Sequence, residues 1–305
     1  LPLHCSVNII AVNSATLLRQ SNFNDSMIKN EYSLTLKGIT LDGNNIENVS
    51  PLIESSANLI LNNCTLQNNK TSGNGGAVYV DGFTFEMTNS IIRNNTAAKG
   101  AGVYVASNGI FNMNNGTISD NFATSSSEAS LGGGVYVDAN GTFNMKDGSI
   151  INNSVNYTGT ALMGGGAGVA VDFQTTSSGL FNMTGGKIQG NKTIGNKDYG
   201  SGVFVNGSTQ EYLGIFKISG NAVVVSDNDV YLNYVAKITV TGELTGNTPV
   251  ATITPSSYTA QKEVIQVEGV ALNSVIRKFS VTPKLNENDQ YENWIIDQNG
   301  RIVTN

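Results

Sequence analysis

Charge is scarce in this chain. Asp, Glu, Lys and Arg together make up 13% of it, Pro occurs five times, Cys twice, and His and Trp once each. Each shortage removes a class of protein. With 17 Lys and Arg against 23 Asp and Glu, a net charge of −6 and no basic run, the footprint of phosphate-backbone binding is missing, and no nucleic acid partner is expected. No apolar run approaches the roughly 18 residues that cross a bilayer, so no integral membrane segment is expected. The opening LPLHCSVNIIAV lacks the basic start of a signal peptide and reads as mature or trimmed.

Cys5, Cys64 and the single His4 fall short of the four ligands of a structural zinc site; no metal and no cofactor is expected. A Cys5–Cys64 bridge stays open. The two fall at different points of the repeat described next, however, so stacking does not join them, and two unpaired thiols are expected.

What the chain does have is Gly (34 residues), Asn, Thr, Val and Ile, a composition of short strands and tight turns. Over 305 residues it can build one elongated unit or two ordinary domains. A repeat chooses between them. Phe-x-Met recurs at Phe85, Phe111, Phe143 and Phe181, with the variant FKI at Phe216. Seven residues after each of the first four comes Ile92, Ile118, Ile150 or Ile188, and three later Asn95, Asn121, Asn153 or Asn191. The same rule fits Leu59/Leu66/Asn69 and Leu34/Leu41/Asn44, more loosely Ile10/Leu17/Gln20, and with altered spacing Phe216/Val225/Asn228 and Ile238/Leu244/Asn247.

Each copy holds three period-2 segments, Val-x-Val, Phe-x-Met and one around the Ile, split by Gly, Asn and Asp. None can bury its apolar face alone, and no helical stretch accompanies them. The expected fold is all-β, a parallel β-helix (β-solenoid) of about nine coils, roughly 40 Å long. Residues 1–30 would form an N-terminal cap and first coil, 31–249 the repeats, and 250–305 a C-terminal capping β segment in which Trp294, Tyr291, Ile295 and Ile296 pack over the last coil. The two Val, the Phe, the Met and the Ile point inward, and the Asn three after the Ile holds a sharp bend by pairing with backbone and with its copies above and below.

GGAVY (75–79), GAGVY (100–104), GGGVY (132–136) and FNMN (111–114) resemble the Gly-Gly-aliphatic and Phe-x-x-Asn signatures of polymorphic outer-membrane-protein repeats and related adhesin-like surface proteins. The resemblance covers residues 59–247. The tail, from VATITPSSYTAQKEV through KFSVTP to WIIDQNGRIV, is similar to the closing segment of spirochaete-type surface proteins with such repeats. The resemblance implies a right-handed parallel β-helix on a cell surface, an adhesive role and no catalytic residues. Only Phe111 carries the full Phe-x-x-Asn, and a C-terminal membrane barrel of the autotransporter kind is missing, which leaves export and anchoring open.

Insertions in a solenoid mark its binding face. The Phe-to-Ile turn is constant. The Asn-to-Val gap runs 8, 14, 16 and 12, and the Val-to-Phe gap grows from 7 to 13. Both variable corners flank the Val-x-Val sheet, which would become a trough floor. Its outward file is Tyr79, Tyr104, Tyr136, Ala170, Phe204 and Tyr231, with Asp81, Ala106, Asp138, Asp172, Asn206 and Asn233 two residues on. Aromatic faces beside fixed acceptors suit a carbohydrate. The same residues also suit a plain sheet surface, because Tyr and Phe favour strands and Asp starts Asx turns.

Asp138 and Asp172, one coil apart at roughly 5 Å, match the carboxylate pair of a retaining glycosidase or a calcium site, but no His or Lys/Arg cluster accompanies them. The loops 124–131 and 154–165 read as mobile tips or, equally, as tolerated insertions. The leading expectation is a non-enzymatic, extracellular or cell-surface adhesin-like solenoid that binds a host or matrix glycan or a surface protein. The alternatives are a polysaccharide lyase or hydrolase of the pectate-lyase type and a filament subunit, through end-to-end self-association where a cap is incomplete.

Overall fold

The period-2 triplets form short strands, and like strands pair in parallel across successive copies. The computed structural model describes residues 2–3, 5–126, 129–157, 164–195, 199–208 and 212–304. His4 and parts of the loops 124–131 and 154–165 lie outside the described residues. Val78–Val80, Val103–Val105, Val135–Val137, Val169–Val171 and Val203–Val205 stack residue on residue in one long parallel sheet. Thr84–Thr88, Ile110–Met113, Thr142–Met145, Leu180–Met183 and Ile215–Gly220 do the same in a second. The Ile segments continue that second sheet, because Leu34–Asp42 pairs with Leu59–Asn62 through its first half and Thr65–Gln67 through its second. The molecule is a parallel β-helix.

Inward residues stack like on like. The rings of Phe85, Phe111, Phe143, Phe181 and Phe216 lie 4.6 to 5.0 Å apart, all within 12° of parallel, and are fully buried with the flanking Met and Val. Each such pair adds about 0.5–1.5 kcal/mol to the burial itself. The Asn at the bend forms a second internal file. Nδ2 of Asn95, Asn121, Asn153 and Asn191 donates to Oδ1 of the next Asn, ending on Asn228, at 2.8 to 3.0 Å. Each of these Oδ1 atoms also accepts the backbone N–H of the Asn before it. The residue just ahead of Asn69, Asn95, Asn121 and Asn153 is left-handed, at φ 59, 55, 56 and 55 for Asn68, Asn94, Asp120 and Asn152, conformations that Asn and Asp tolerate. Close approach makes Gly134 obligatory: a Cβ there would meet Gly168 O at 2.6 Å.

Several expectations shift along the chain, by one to four residues. Val7, not Ile10, stacks on Leu34; Ile10 pairs with outward-facing Lys37 and is exposed, and the strand Val7–Leu18 bulges between Ile10 and Ala15. Val224, not Val225, stacks on Ile188. Asn48, not Asn44, closes the Asn file at its N-terminal end, donating to Asn69 Oδ1 at 2.9 Å. A fourth strand position follows the bend, from Glu47–Asn48 to Lys192–Ile194. Its inward residues, Ala97, Ala123 and Val155, form a small core of their own; side chains that small carry no legible alternation.

The stacking also runs past residue 249. Ala251–Pro255 and Phe279–Val281 extend the first sheet and Ile265–Val267 the second, so the tail contributes rungs before it caps. Trp294 is buried and edge-on to Tyr258, with Ile296 packed beside the core. Tyr291 and Ile295 do not join them; they are 74% and 45% exposed.

Candidate ligand-binding faces

The outward file of the Val-x-Val sheet is in register as the parity of a strand requires: Tyr79, Tyr104, Tyr136, Ala170, Phe204 and Tyr231 lie one over another outside the tube. Tyr79 and Tyr104 stack at 5.0 Å and 9°, Tyr104 and Tyr136 at 4.9 Å and 30°. The file is not an open floor. Tyr104 is 7% exposed, Tyr136 2%, Phe204 1% and Tyr231 9%. The variable loops that were to be trough walls fold back over it: Leu131 and Ala129 pack on the file, Tyr199 meets Tyr231 edge-on at 5.1 Å, and Lys99 Nζ sits 5.5 Å above the Tyr136 ring. A satellite core outside the tube results, and ring faces already covered cannot stack on a sugar.

The polar file beside it is equally engaged. Tyr104 OH donates to Asp138 Oδ2 at 2.8 Å, and Tyr136 OH to Asp172 Oδ2 at 2.7 Å. Asp138 Oδ1 accepts the N–H of Ala139. Asp172 Oδ1 accepts Asn206 Nδ2 at 2.7 Å and the N–H of Phe173, and Asn206 Oδ1 accepts Asn233 Nδ2. Burial, then the nearby carboxylates, push the Tyr104 and Tyr136 phenols far above the ordinary tyrosine value, so they stay neutral donors. Both oxygens of each Asp are thus occupied in holding tyrosines and turns. Of the expected ligand residues, Asp81 is exposed and Tyr79, Asp138 and Asp172 are half-buried, while Tyr104, Tyr136, Phe204, Tyr231 and Asn206 are buried. Among the described residues no three of His, Cys, Asp and Glu gather closely enough to share a metal ion. Cys5 is exposed, Cys64 buried, and both are unpaired.

The open face lies around the corner. The parity that buries Phe and Met sends the middle residue of Phe-x-Met outward, giving a column of Glu86, Asn112, Asn144, Asn182 and Lys217 in register. Its amides form a one-way chain: Asn182 Nδ2 donates to Asn144 Oδ1 at 2.8 Å, Asn144 Nδ2 to Asn112 Oδ1 at 2.7 Å, and Asn112 Nδ2 to Glu86 Oε1 at 2.6 Å. A parallel column runs beside it, with Lys146 Nζ donating to Asn114 Oδ1 and Asn114 Nδ2 to Glu86 Oε2, both at 2.9 Å. Asn112 and Asn144 each use one N–H and one oxygen lone pair there, Asn182 uses one N–H, and each keeps its other groups for a partner. Asn144, Lys146, Asn182, Thr184, Lys217 and Thr241 line a shallow concavity of about 280 Å³ on this face. The signal was present in the quoted triplets; the middle letter is polar in all five and Asn in the three FNM copies.

No family model, curated protein or solved structure matches this chain. Among the described residues no helix is long and apolar enough to cross a membrane.

Proposed function

We propose that the protein is a non-enzymatic, adhesin-like solenoid, displayed at a cell surface or secreted, that binds glycan along the outer face of the Phe-x-Met sheet. The observation that carries this reading is the amide chain from Asn182 to Glu86, an open column of fixed donors and acceptors at strand spacing. Sugar hydroxyls need donors and acceptors at set positions, and a linear polymer laid along the axis meets the same group once per coil. Because the amides are already ordered by one another, binding them costs little side-chain entropy. The engagement of Asp138 and Asp172 by tyrosine hydroxyls, Asn206 and turn N–H groups supports a binding role over hydrolysis, since both carboxylates already hold structural hydrogen bonds.

The test is a glycan array, followed by titration of the best ligand against the double variant Asn144→Thr/Asn182→Thr, which keeps strand propensity and removes the amides. Binding should fall about tenfold or more, in line with a loss of some 1.4 kcal/mol. Parent-like affinity in that variant would defeat the reading.

A further inference from the structure

Where the rung of Asp229–Leu232 turns toward the second sheet, Asn233, Tyr234, Val235 and Ala236 form a turn closed by the Ala236 N–H on Asn233 O at 2.9 Å. Earlier coils make this corner with Ala106–Gly109 and Asp138–Gly141, and their left-handed residues are Asn108 and Asn140, both at φ 62. Here the left-handed residue is Tyr234, at φ 44, the second residue of its turn, whereas Asn108 and Asn140 are the third of theirs. A bulky side chain is a rare choice for that conformation, and such outliers gather at binding sites. The cost is not offset by burying the ring, because Tyr234 is 54% exposed.

Ser256 ties that corner to a cation: its Oγ accepts the Tyr234 backbone N–H at 2.9 Å and Lys262 Nζ at 3.3 Å. The neighbouring Lys237 is paired with Glu263 at 3.0 Å. The Lys262 ammonium has no carboxylate partner among the described residues, and Ser256 Oγ is its one hydrogen-bond acceptor there. It is half-buried, and burial lowers its pKa from the ordinary lysine value; the ammonium is under-solvated where it sits. Tyr234, Val235, Lys237, Thr259, Lys262 and Glu263 line a concavity of about 510 Å³, within the size range of small-ligand sites.

We propose that this concavity binds a carboxylated sugar residue, with the sugar ring on the open face of Tyr234 and its carboxylate on Lys262. An aromatic face takes the C–H side of a sugar ring, a partly desolvated ammonium lacking an anion takes the carboxylate, and the Lys237–Glu263 pair with the Thr259 hydroxyl supplies donors and acceptors for ring hydroxyls. The site is on a different corner from the amide face and stands independently of it.

The experiment follows backbone amide resonances of the full chain by NMR while methyl glucuronide, methyl glucoside or acetate is added. Glucuronide should shift the Tyr234 and Ser256 signals saturably, with glucoside and acetate each about tenfold weaker or worse. Lys262→Gln should erase the preference for glucuronide over glucoside. Tyr234→Asn, which suits the left-handed corner, should weaken both sugars and leave acetate unchanged. Equal binding of the two sugars, acetate as strong as glucuronide, no saturable shift at all, or a preference that survives Lys262→Gln would each overturn the proposal. The variants of the amide face leave Tyr234 and Lys262 intact, so failure of one site is read separately from failure of the other.

Discussion

Tyr136 on one coil donates its hydroxyl to Asp172 on the next at 2.7 Å, outside the tube yet only 2% exposed. The bond joins two coils on the side where a solenoid usually meets solvent. It turns the outer wall of the first sheet into a second core, with Leu131, Ala129 and Tyr199 as its cover. The loops at this wall are therefore structural at their roots.

Removing the ring should show it. Tyr136→Ala is expected to destabilise the protein by about 3–5 kcal/mol, as for a buried aromatic. Tyr136→Phe is expected to cost about 1–3 kcal/mol, because the packing stays while an oxygen of Asp172 loses its donor. Urea unfolding of both variants is the check. An alanine cost within about 0.5 kcal/mol, the range of ordinary surface substitutions, would show the loops to be open at this wall in solution.

The internal Asn file gives a second measurement. Asn121 Oδ1 accepts both the backbone N–H and Nδ2 of Asn95, and its own Nδ2 reaches Ile92 O. Asn121→Ala should orphan the buried Asn95 N–H, at about 1–3 kcal/mol, and Asn121→Leu should cost at least as much because nothing in that position accepts. Hydrogen exchange at the Asn95 amide should accelerate in step. An unchanged exchange rate in Asn121→Ala would mean the bend is held without the side chain.

Alkaline pH supplies a third. Burial first, then neighbouring charges, raises the phenols of Tyr231 and Tyr258 to about 12 and those of Tyr104 and Tyr136 further. An acid whose folded value lies above its unfolded value of about 10 stabilises the fold fully below pH 10, and that contribution is lost as pH rises through the folded values. Phenolate absorbance should therefore leave these four neutral to about pH 12 and then rise together with loss of the circular-dichroism signal. Smooth ionisation of all eleven tyrosines well below that, with the fold intact, would contradict the covered wall.

Much of this architecture could be read before any coordinates. The recurrence of Phe111, Phe143 and Phe181 with an Ile seven residues on and an Asn ten residues on predicts which rungs stack, and the rings are found 4.8 Å apart. Parity predicts that Tyr104 and Tyr136 face out, and they do. The slips fall where local chemistry is ambiguous. Two adjacent valines, Val224 and Val225, offer equal inward candidates, and the short strand around Ala97 has too little side chain to show a period. Tyr234 and Lys262 escaped notice because 28 residues separate them in the chain and they meet only through Ser256.

By itself, then, the amino-acid order determined the coil and the in-or-out sense of each strand residue, since both follow from a two-residue period and a fixed repeat spacing that neighbouring copies must share. Which outward residues stay wet was decided only in three dimensions. Loops of irregular length close over Tyr104 and Tyr136 and leave Asn144 and Asn182 partly exposed, because the energy of covering a face comes from contacts between segments that no local spacing encodes.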